Sequence, residues 1–193
     1  REEMVNGKAI EPAASLVAQY RKKNFTGLLK GARVYRIPNF NDLYWKPGGN
    51  PDITPEYGWT SEAGISFQKY NTRHFTSFGL SGFANIINNW IIWLPENGLW
   101  TPQNLARVFA RGGEANVKYL FQINSASYLR LKYGASLTYS SNTKEKTAGD
   151  ASVGKQLIYV PFQRHTGELL FEWKAFNFVM QGEYTGFRYT SSD

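Results

Sequence analysis

The sequence has no cysteine among its 193 residues and no long run of apolar residues. Without cysteine, the chain has no disulfide bonds, thiolate metal sites or cysteine nucleophiles. The longest uninterrupted apolar run extends from Trp90 to Leu94, far short of the ~20 residues that a spanning helix needs. A helical membrane protein is therefore excluded. The mean hydropathy of -0.44 still permits a membrane β-barrel, because only alternate residues of such a barrel face lipid.

Motifs for catalysis and cofactor binding are also missing. The chain contains no Gly-x-Ser-x-Gly elbow, phosphate-binding loop or dinucleotide fingerprint. The two histidines, His74 and His165, are too far apart in sequence to form a metal-ligand motif. Glu168 and Glu172 share one face of a predicted strand, but a water-filled barrel interior needs such polar residues in any case. We therefore expect a protein that is not an enzyme and has no cofactor or metal site.

Positive charge is in excess but not concentrated. The formal net charge is +7, with 22 lysines and arginines. These residues are scattered singly, and the densest cluster, residues 21–23, lies in a predicted turn. No basic face recurs at a single period, so we do not expect nucleic-acid binding. Aromatic residues make up 16% of the chain, a proportion typical of proteins whose aromatic girdles meet lipid headgroups.

Alternation of apolar and polar residues with period two dominates the chain and predicts β-strands. The clearest example covers residues 128–141, where Leu129, Leu131 and Leu137 alternate with residues such as Arg130 and Lys132. The pattern predicts eight long antiparallel strands, the last of them starting near residue 177. The other seven are expected at residues 12–20, 26–36, 57–70, 74–93, 104–121, 128–141 and 155–173. The predicted fold class is therefore all-β, made of antiparallel transmembrane β-barrel strands.

The predicted connections alternate in length, which supports a barrel in a membrane. Short turns are expected near residues 22, 72, 125 and 175, and long connections near residues 47, 98 and 148. Outer-membrane barrels have short periplasmic turns and longer external loops. We expect residues 94–103 to form a turn-rich loop and residues 142–154 to form a polar, mobile one. Lipid offers no hydrogen-bond partner, so the strands must close into a barrel, and eight strands can do so alone.

A long loop from Asn39 to Glu56 contains the candidate ligand site. Its prolines and Gly48-Gly49 pair exclude the interior of a helix or a central strand. Its aromatic residues indicate a loop that folds on itself or contacts a ligand. Aromatic rings offer contact area at low entropic cost, and Asn and Asp oxygens can accept from a ligand, although they also cap turns. The candidate ligand-binding residues are Asn41, Asp42, Tyr44, Trp45, Asn50, Asp52 and, from the next predicted loop, Trp100.

Four segments of the chain resemble one known family. Residues 35–45 read Tyr-Arg-Ile-Pro-Asn-Phe-Asn-Asp-Leu-Tyr-Trp, and residues 49–56 read Gly-Asn-Pro-Asp-Ile-Thr-Pro-Glu. Together they resemble the late-barrel signature of TonB-dependent outer-membrane receptors, above all the cobalamin-receptor-like branch. Two shorter segments are also similar to the family: residues 111–114, Arg-Gly-Gly-Glu, and residues 154–161, which begin with Gly and end with Pro. The first of these would place Glu114 in the lumen, paired to Arg111.

The resemblance implies an architecture and a function. It implies a 22-stranded barrel in the bacterial outer membrane, of which residues 1–193 form a part near the C-terminal end, without the plug domain and the last strands. Such a receptor takes up a large scarce nutrient, for example cobalamin, a metal chelate such as a siderophore, or a glycan. Its expected partners are membrane lipid, the nutrient at the extracellular loops, the rest of the receptor with its plug, and the energising inner-membrane complex acting through that plug. Two alternatives stay open, an autonomous eight-stranded outer-membrane barrel with a structural or adhesive role and a soluble β-barrel that carries a ligand.

Overall fold

A single antiparallel β-sheet forms most of the structure. The computed structural model describes residues 4–5, 8–9, 12–96, 98–145, 150 and 152–190. Two short strands, β1 (Met4–Val5) and β2 (Lys8–Ala9), pair with each other. The eight strands of the main sheet are β3 (Ala14–Lys22), β4 (Phe25–Arg36), β5 (Glu56–Asn71), β6 (His74–Glu96), β7 (Leu99–Asn124), β8 (Ser127–Lys144), β9 (Gln163–Trp173) and β10 (Phe176–Thr185). The one helix of the described chain, α1, covers Phe40–Tyr44.

The sheet is a meander in which each strand pairs with its neighbours in sequence. The strand order is β10-β9-β8-β7-β6-β5-β4-β3, and all pairs are antiparallel. This confirms the all-β antiparallel prediction with eight long strands. Within the described residues β3 and β10 each have one partner, so the eight strands do not close on themselves. No helix in the described part of the chain is long and apolar enough to cross a bilayer.

The register gives the sheet one apolar face and one polar face. Directly opposed residues of an antiparallel pair lie on the same face, and successive residues of a strand alternate between faces. Ile65 pairs with Leu80, Leu80 with Ala115 and Ala115 with Ala135, which forms one row of the apolar face. Strand glutamates fall on the other, polar face, among them Glu62, Glu114, Glu168, Glu172 and Glu183.

The apolar face is exposed rather than packed against a second layer. Leu131, Tyr133 and Leu137 of β8 are 41%, 48% and 47% exposed. A monomeric soluble protein rarely exposes apolar surface on this scale, because its contact with water is unfavourable. The alternation predicted from the sequence is therefore real, and it separates one face suited to hydrocarbon from one suited to water.

Beyond Asn88, β6 and β7 continue as a two-stranded ribbon. The structure contradicts the loop predicted at residues 94–103, because Trp93 pairs with Pro102 and Pro95 pairs with Trp100. The β5–β6 pairing ends at Asn88, and the β7–β8 pairing begins at Arg107. Both prolines thus lie where their strand has one neighbour, and an edge position tolerates a missing N–H group. The prolines that suggested a loop are compatible with this strand ribbon.

The strand predicted from residue 155 begins only at Gln163. The preceding residues instead pack against the end of β8, where the Leu157 N–H donates to the Ser140 carbonyl oxygen at 2.7 Å and the Ser140 N–H donates to Gln156 Oε1 at 2.8 Å. The polar connection predicted at residues 142–154 is in part ordered, since β8 runs to Lys144. Residues 146–149 and 151 of that connection lie outside the described part of the chain.

Candidate functional site: a folded loop beside the β6–β7 ribbon

The connection between β4 and β5 begins with one helical turn, which the sequence analysis had not predicted. The Asp42 N–H donates to Asn39 Oδ1 at 2.8 Å, and the Asn39 N–H donates to Asp42 Oδ2 at 3.0 Å. These two bonds form a capping box, which satisfies two backbone donors at the start of α1. The Asn-x-x-Asp spacing was a readable signal for this turn. Pro47 follows soon after the C-cap Trp45, and its ring disfavours helical backbone in the residue before it.

A small apolar core lies beneath this loop. Leu43, Ile53 and Ile91 are 9%, 1% and 7% exposed and form one buried cluster. Leu43 and Ile53 come from the loop, whereas Ile91 comes from β6. The loop therefore buries its apolar residues against the β6–β7 ribbon, as a folded segment of the structure.

Hydrogen bonds to the β7 side of the ribbon fix the second half of the loop. Asn50 Nδ2 donates to the Pro102 carbonyl oxygen at 3.2 Å. Asn104 Nδ2 donates to the Thr54 carbonyl oxygen at 3.0 Å, and Asn104 Oδ1 accepts from the Thr54 N–H at 2.8 Å. Gly48 lies so close to the Trp100 carbonyl oxygen that a Cβ there would collide with it. Only glycine permits this approach of backbone to backbone.

A partly buried charge cluster connects the loop to β4, β5 and β6. Arg36 donates from Nε and Nη2 to the two carboxylate oxygens of Glu56, both at 2.6 Å. Glu56 also accepts from the Ile91 N–H at 2.6 Å. Asp42 accepts from Trp93 Nε1 at 3.0 Å and lies 3.8 Å from Arg36 Nη1. The hydrogen bond to Glu56 raises the pKa of Arg36 above its ordinary value, so the guanidinium stays charged.

Five aromatic residues cover the outer surface of this assembly. Phe40 and Tyr44 have ring centroids 5.0 Å apart, and Trp100 and Tyr159 have centroids 5.6 Å apart. The Trp45 carbonyl oxygen accepts from the Gly48 N–H at 3.0 Å, and the Gly48 backbone approaches the Trp100 carbonyl oxygen, so both pairs belong to the same folded assembly. All five rings are exposed. We call this surface the aromatic platform, and its residues are Phe40, Tyr44, Trp45, Trp100 and Tyr159.

The predicted site residues divide into a surface group and a framework group. The surface group is exposed and consists of Asn41, Tyr44, Trp45, Asp52 and Trp100. Asp42 and Asn50 belong to the framework. Asp42 is 3% exposed and its oxygens already accept the bonds described above, while Asn50 Oδ1 accepts from the Asp52 N–H at 3.0 Å.

Sequence reasoning missed Phe40 and Tyr159 as members of the platform. Phe40 lies four residues before Tyr44, so the two rings share one face of the short helix α1. Tyr159 had no local signal, because its ring reaches Trp100 from a distant segment of the chain. Among the described residues no group of three or more His, Asp or Glu side chains is arranged to hold a metal ion. The side chains exposed at this end offer aromatic contact and hydrogen bonding.

The charge pattern on β7 also differs from the expectation for Arg111 and Glu114. Residues three apart on a strand lie on opposite faces, so these two side chains cannot pair. The Arg111 guanidinium lies over the rings of Phe109 and Tyr139 at 4.8 and 4.6 Å from their centroids. Glu114 lies on the polar face, opposite Ser81. Arg111 is thus stabilised by cation–π contacts on the apolar face.

Comparison with known proteins assigns the sheet to a family. The family model described as TonB dependent receptor-like, beta-barrel matches residues 9–193. Vitamin B12 transporter BtuB of Vibrio vulnificus is 36% identical over 90 residues, which cover 46% of this chain and 14% of that protein. Vitamin B12 transporter BtuB of Photobacterium profundum is 29% identical over 107 residues, which cover 51% of this chain and 17% of that protein.

A solved structure supports the same assignment at the level of fold. The copper transporter OprC superposes with a TM-score of 0.60 at 14% identity, over 82% of this chain and 23% of that chain. The chain thus aligns with less than a quarter of the length of each of these relatives. The relatives are transporters rather than enzymes, which agrees with the expectation from the sequence. The chain belongs to the TonB-dependent receptor β-barrel family.

Proposed function

We propose that the chain is a barrel sector of a TonB-dependent transporter in the bacterial outer membrane. The observation that carries this proposal, beside the family match, is the separation of apolar and polar residues between the two faces of the sheet. On β8 the apolar face is free of charge from Leu129 to Tyr139, an 11-residue segment. A tilted transmembrane strand needs ~9–11 residues. The apolar face contacts lipid in this proposal, and the polar face lines the interior.

The open edges of the sheet support a larger barrel. In hydrocarbon each unpaired backbone group costs several kcal/mol. Strands β3 and β10 each have one free edge in the described structure, so further strands of the same receptor must pair with them. A 22-stranded barrel filled by a plug meets this requirement. The energising inner-membrane complex then acts on the receptor through the plug.

The aromatic platform supplies the contact for the transported nutrient. It lies at the opposite end of the strands from the two-residue turns, and in barrels of this type the long connections face the outside. Rigid aromatic rings exposed on one surface fit a large ligand with extended apolar faces. A cobalamin-like corrinoid is the first candidate, because the relatives at 36% and 29% identity carry the name vitamin B12 transporter. A metal chelate such as a siderophore is the second candidate of the same size class.

The test uses the complete receptor that contains this chain, produced in a host that lacks its own cobalamin receptor. We expect the receptor in the outer-membrane fraction, heat-dependent mobility on gels, and uptake of labelled cyanocobalamin that requires the energising complex. The double variant Tyr44→Ala/Trp45→Ala should weaken cyanocobalamin binding roughly thirtyfold, because each aromatic contact in a binding site contributes on the order of 1 kcal/mol. Trp59→Ala is the matched control, since Trp59 is an exposed aromatic residue of the apolar face.

Each outcome decides a different part of the proposal. Unchanged affinity of the double variant would remove the platform from the binding site. Uptake of a ferric chelate in place of cyanocobalamin would assign the metal-chelate class. A receptor recovered entirely in the soluble fraction would refute the membrane location and the transport function together.

A further inference from the structure

Four basic residues cluster at the short-turn end of the sheet, in and beside two neighbouring turns. We call Lys22, Lys23, Lys69 and Arg73 the basic rim. All four are exposed, and none has a carboxylate within ion-pair distance among the described residues. The Gln68 N–H donates to the Asn24 carbonyl oxygen at 2.8 Å, which holds the β3–β4 turn against β5. The two turns therefore lie side by side, and the four basic residues belong to one region of the sheet.

The carboxylates at this end of the sheet face the other way. Glu168 lies on the polar face, where Arg130 and Lys132 contact its Oε1 at 3.1 and 3.0 Å. Glu172 lies on the same face and accepts from the Tyr128 hydroxyl at 3.0 Å. Glu168 is thus paired with cations of its own face, whereas no described carboxylate pairs with the basic rim, which keeps a net positive charge.

Aromatic pairs on the apolar face lie at the same level of the strands as the basic rim. Phe25 contacts Phe67 with centroids 4.9 Å apart, and His74 stacks on Phe121 at 4.9 Å. Phe25 is also the strand partner of Lys22. Aromatic residues of barrels concentrate at the boundary between hydrocarbon and headgroups. The basic rim therefore lies at headgroup level, on the water side of the hydrocarbon.

An apolar depression begins next to the basic rim. It has a volume of about 730 Å³, and its lining includes Tyr20, Gly27, Leu29, Ile65 and Leu80. All five residues belong to the apolar face. Tyr20 and Lys22 lie on the same face two residues apart, about 7 Å along the strand. A chain of methylene groups in this depression would thus continue directly into a charged group at the rim.

We propose that the basic rim and this depression bind an anionic phospholipid in the membrane leaflet at the short-turn end. The cations of Lys22 and Lys69 contact its phosphate, Lys23 and Arg73 add long-range attraction, and an acyl chain fills the depression. The inference rests on the proposed membrane location. Charge complementarity selects an anionic headgroup over a zwitterionic one, and the apolar depression selects a lipid over a soluble phosphate.

The experiment compares two double variants of the complete receptor in nanodiscs of phosphatidylethanolamine and phosphatidylglycerol at three to one. Lys22→Gln/Lys69→Gln removes two charges from the basic rim. Arg21→Gln/Lys118→Gln is the matched control, because it removes two charges from the polar face near the same end. The readout is the phosphatidylglycerol that stays bound to the receptor after detergent extraction, measured by native mass spectrometry.

We expect each rim substitution to lower phosphatidylglycerol binding about fivefold, the usual contribution of one basic residue at an anionic surface. Binding by the wild type should also fall as salt is raised, because exposed charges are screened. Equal phosphatidylglycerol retention by the wild type and the rim variant would overturn the proposal, as would an equal loss in the control. Uptake of cyanocobalamin by the rim variant reports separately on the transport function, so a failure of the lipid site can be distinguished from a failure of the proposed transport.

Discussion

Removing Arg36 should release the loop between β4 and β5 from the sheet. Arg36 neutralises two carboxylates, Glu56 and Asp42, whose side chains are 9% and 4% exposed. In an Arg36→Ala variant both carboxylates would remain buried without a cation. Removing one partner of a buried pair costs about 3–5 kcal/mol, whereas exposed pairs contribute about 0–1 kcal/mol. The Arg36 side chain is 47% exposed, so we expect an intermediate cost of about 2–3 kcal/mol.

Hydrogen exchange of the purified receptor measures this cost locally. If the closed conformation of the loop loses about 2–3 kcal/mol of stability, the equilibrium constant for its opening rises roughly 30- to 150-fold. The amides that report it are those of Asn50, which donates to the Asp42 carbonyl oxygen at 2.8 Å, and Ile91, which donates to Glu56. Amides in the centre of β8 should exchange as in the wild type.

Two further variants sharpen the Arg36 experiment. Arg36→Lys keeps the charge but loses the bidentate hydrogen bond. Its loop amides should therefore exchange at rates between those of the wild type and those of Arg36→Ala. Lys46→Ala removes an exposed charge of the same loop and should change nothing. The reasoning is refuted if loop amides in Arg36→Ala exchange within about threefold of the wild type, which corresponds to less than about 1 kcal/mol.

Three other substitutions test the core, the lipid face and the strand packing. Ile53→Ala should destabilise the loop by about 2–4 kcal/mol because it empties a fully buried site, which limited proteolysis of the loop detects as faster cleavage. Leu80→Arg should lower folding stability in bilayers by about 2–4 kcal/mol, measured by denaturant titration, whereas Ser81→Arg on the polar face should have little effect. Gly58→Ala should reduce the yield of heat-modifiable barrel, because its Cβ would collide with the Ile86 carbonyl oxygen; a normal yield would contradict the observed spacing of β5 and β6.

Strand existence and face assignment were predictable because alternation is a local property. Along β8 the apolar positions 129–139 follow one another without interruption, and the structure places them on one face. The two-residue turns at one end were predictable for a related reason. Each links two strands whose apolar positions must stay on the same face, and this restricts the register.

Strand ends and connections were less predictable, because proline and glycine occur in loops and also in strands at particular positions. Pro95 and Pro102 suggested a loop, yet both lie in a ribbon whose strands have one neighbour. Whether β6 and β7 have one neighbour there depends on where β5 and β8 end. The residues around each proline do not reveal where those two strands end. Gly48 suggested a turn and lies in one, but its close approach to the Trp100 carbonyl oxygen could not be read from the local sequence.

The candidate site shows the same division between its surface and its framework. Residue type predicted that Tyr44, Trp45 and Trp100 would contribute to a surface at one end of the strands. Residue type could not separate Asp52, which is exposed, from Asp42, which is buried. The environment that buries Asp42 comes in part from Trp93, which lies 51 residues away in the sequence and donates a hydrogen bond to it.

The amino-acid sequence by itself determined the β class, the number of strands in the sheet and the apolar and polar faces, because each follows from neighbours one or two positions apart. Tertiary structure decided how far β6 and β7 extend, how the 37–55 connection folds and which of its polar residues remain at the surface. Those features depend on contacts such as that of Asn50 with Pro102, 52 positions apart. Such contacts form only after the strands are side by side, so no local pattern can encode them.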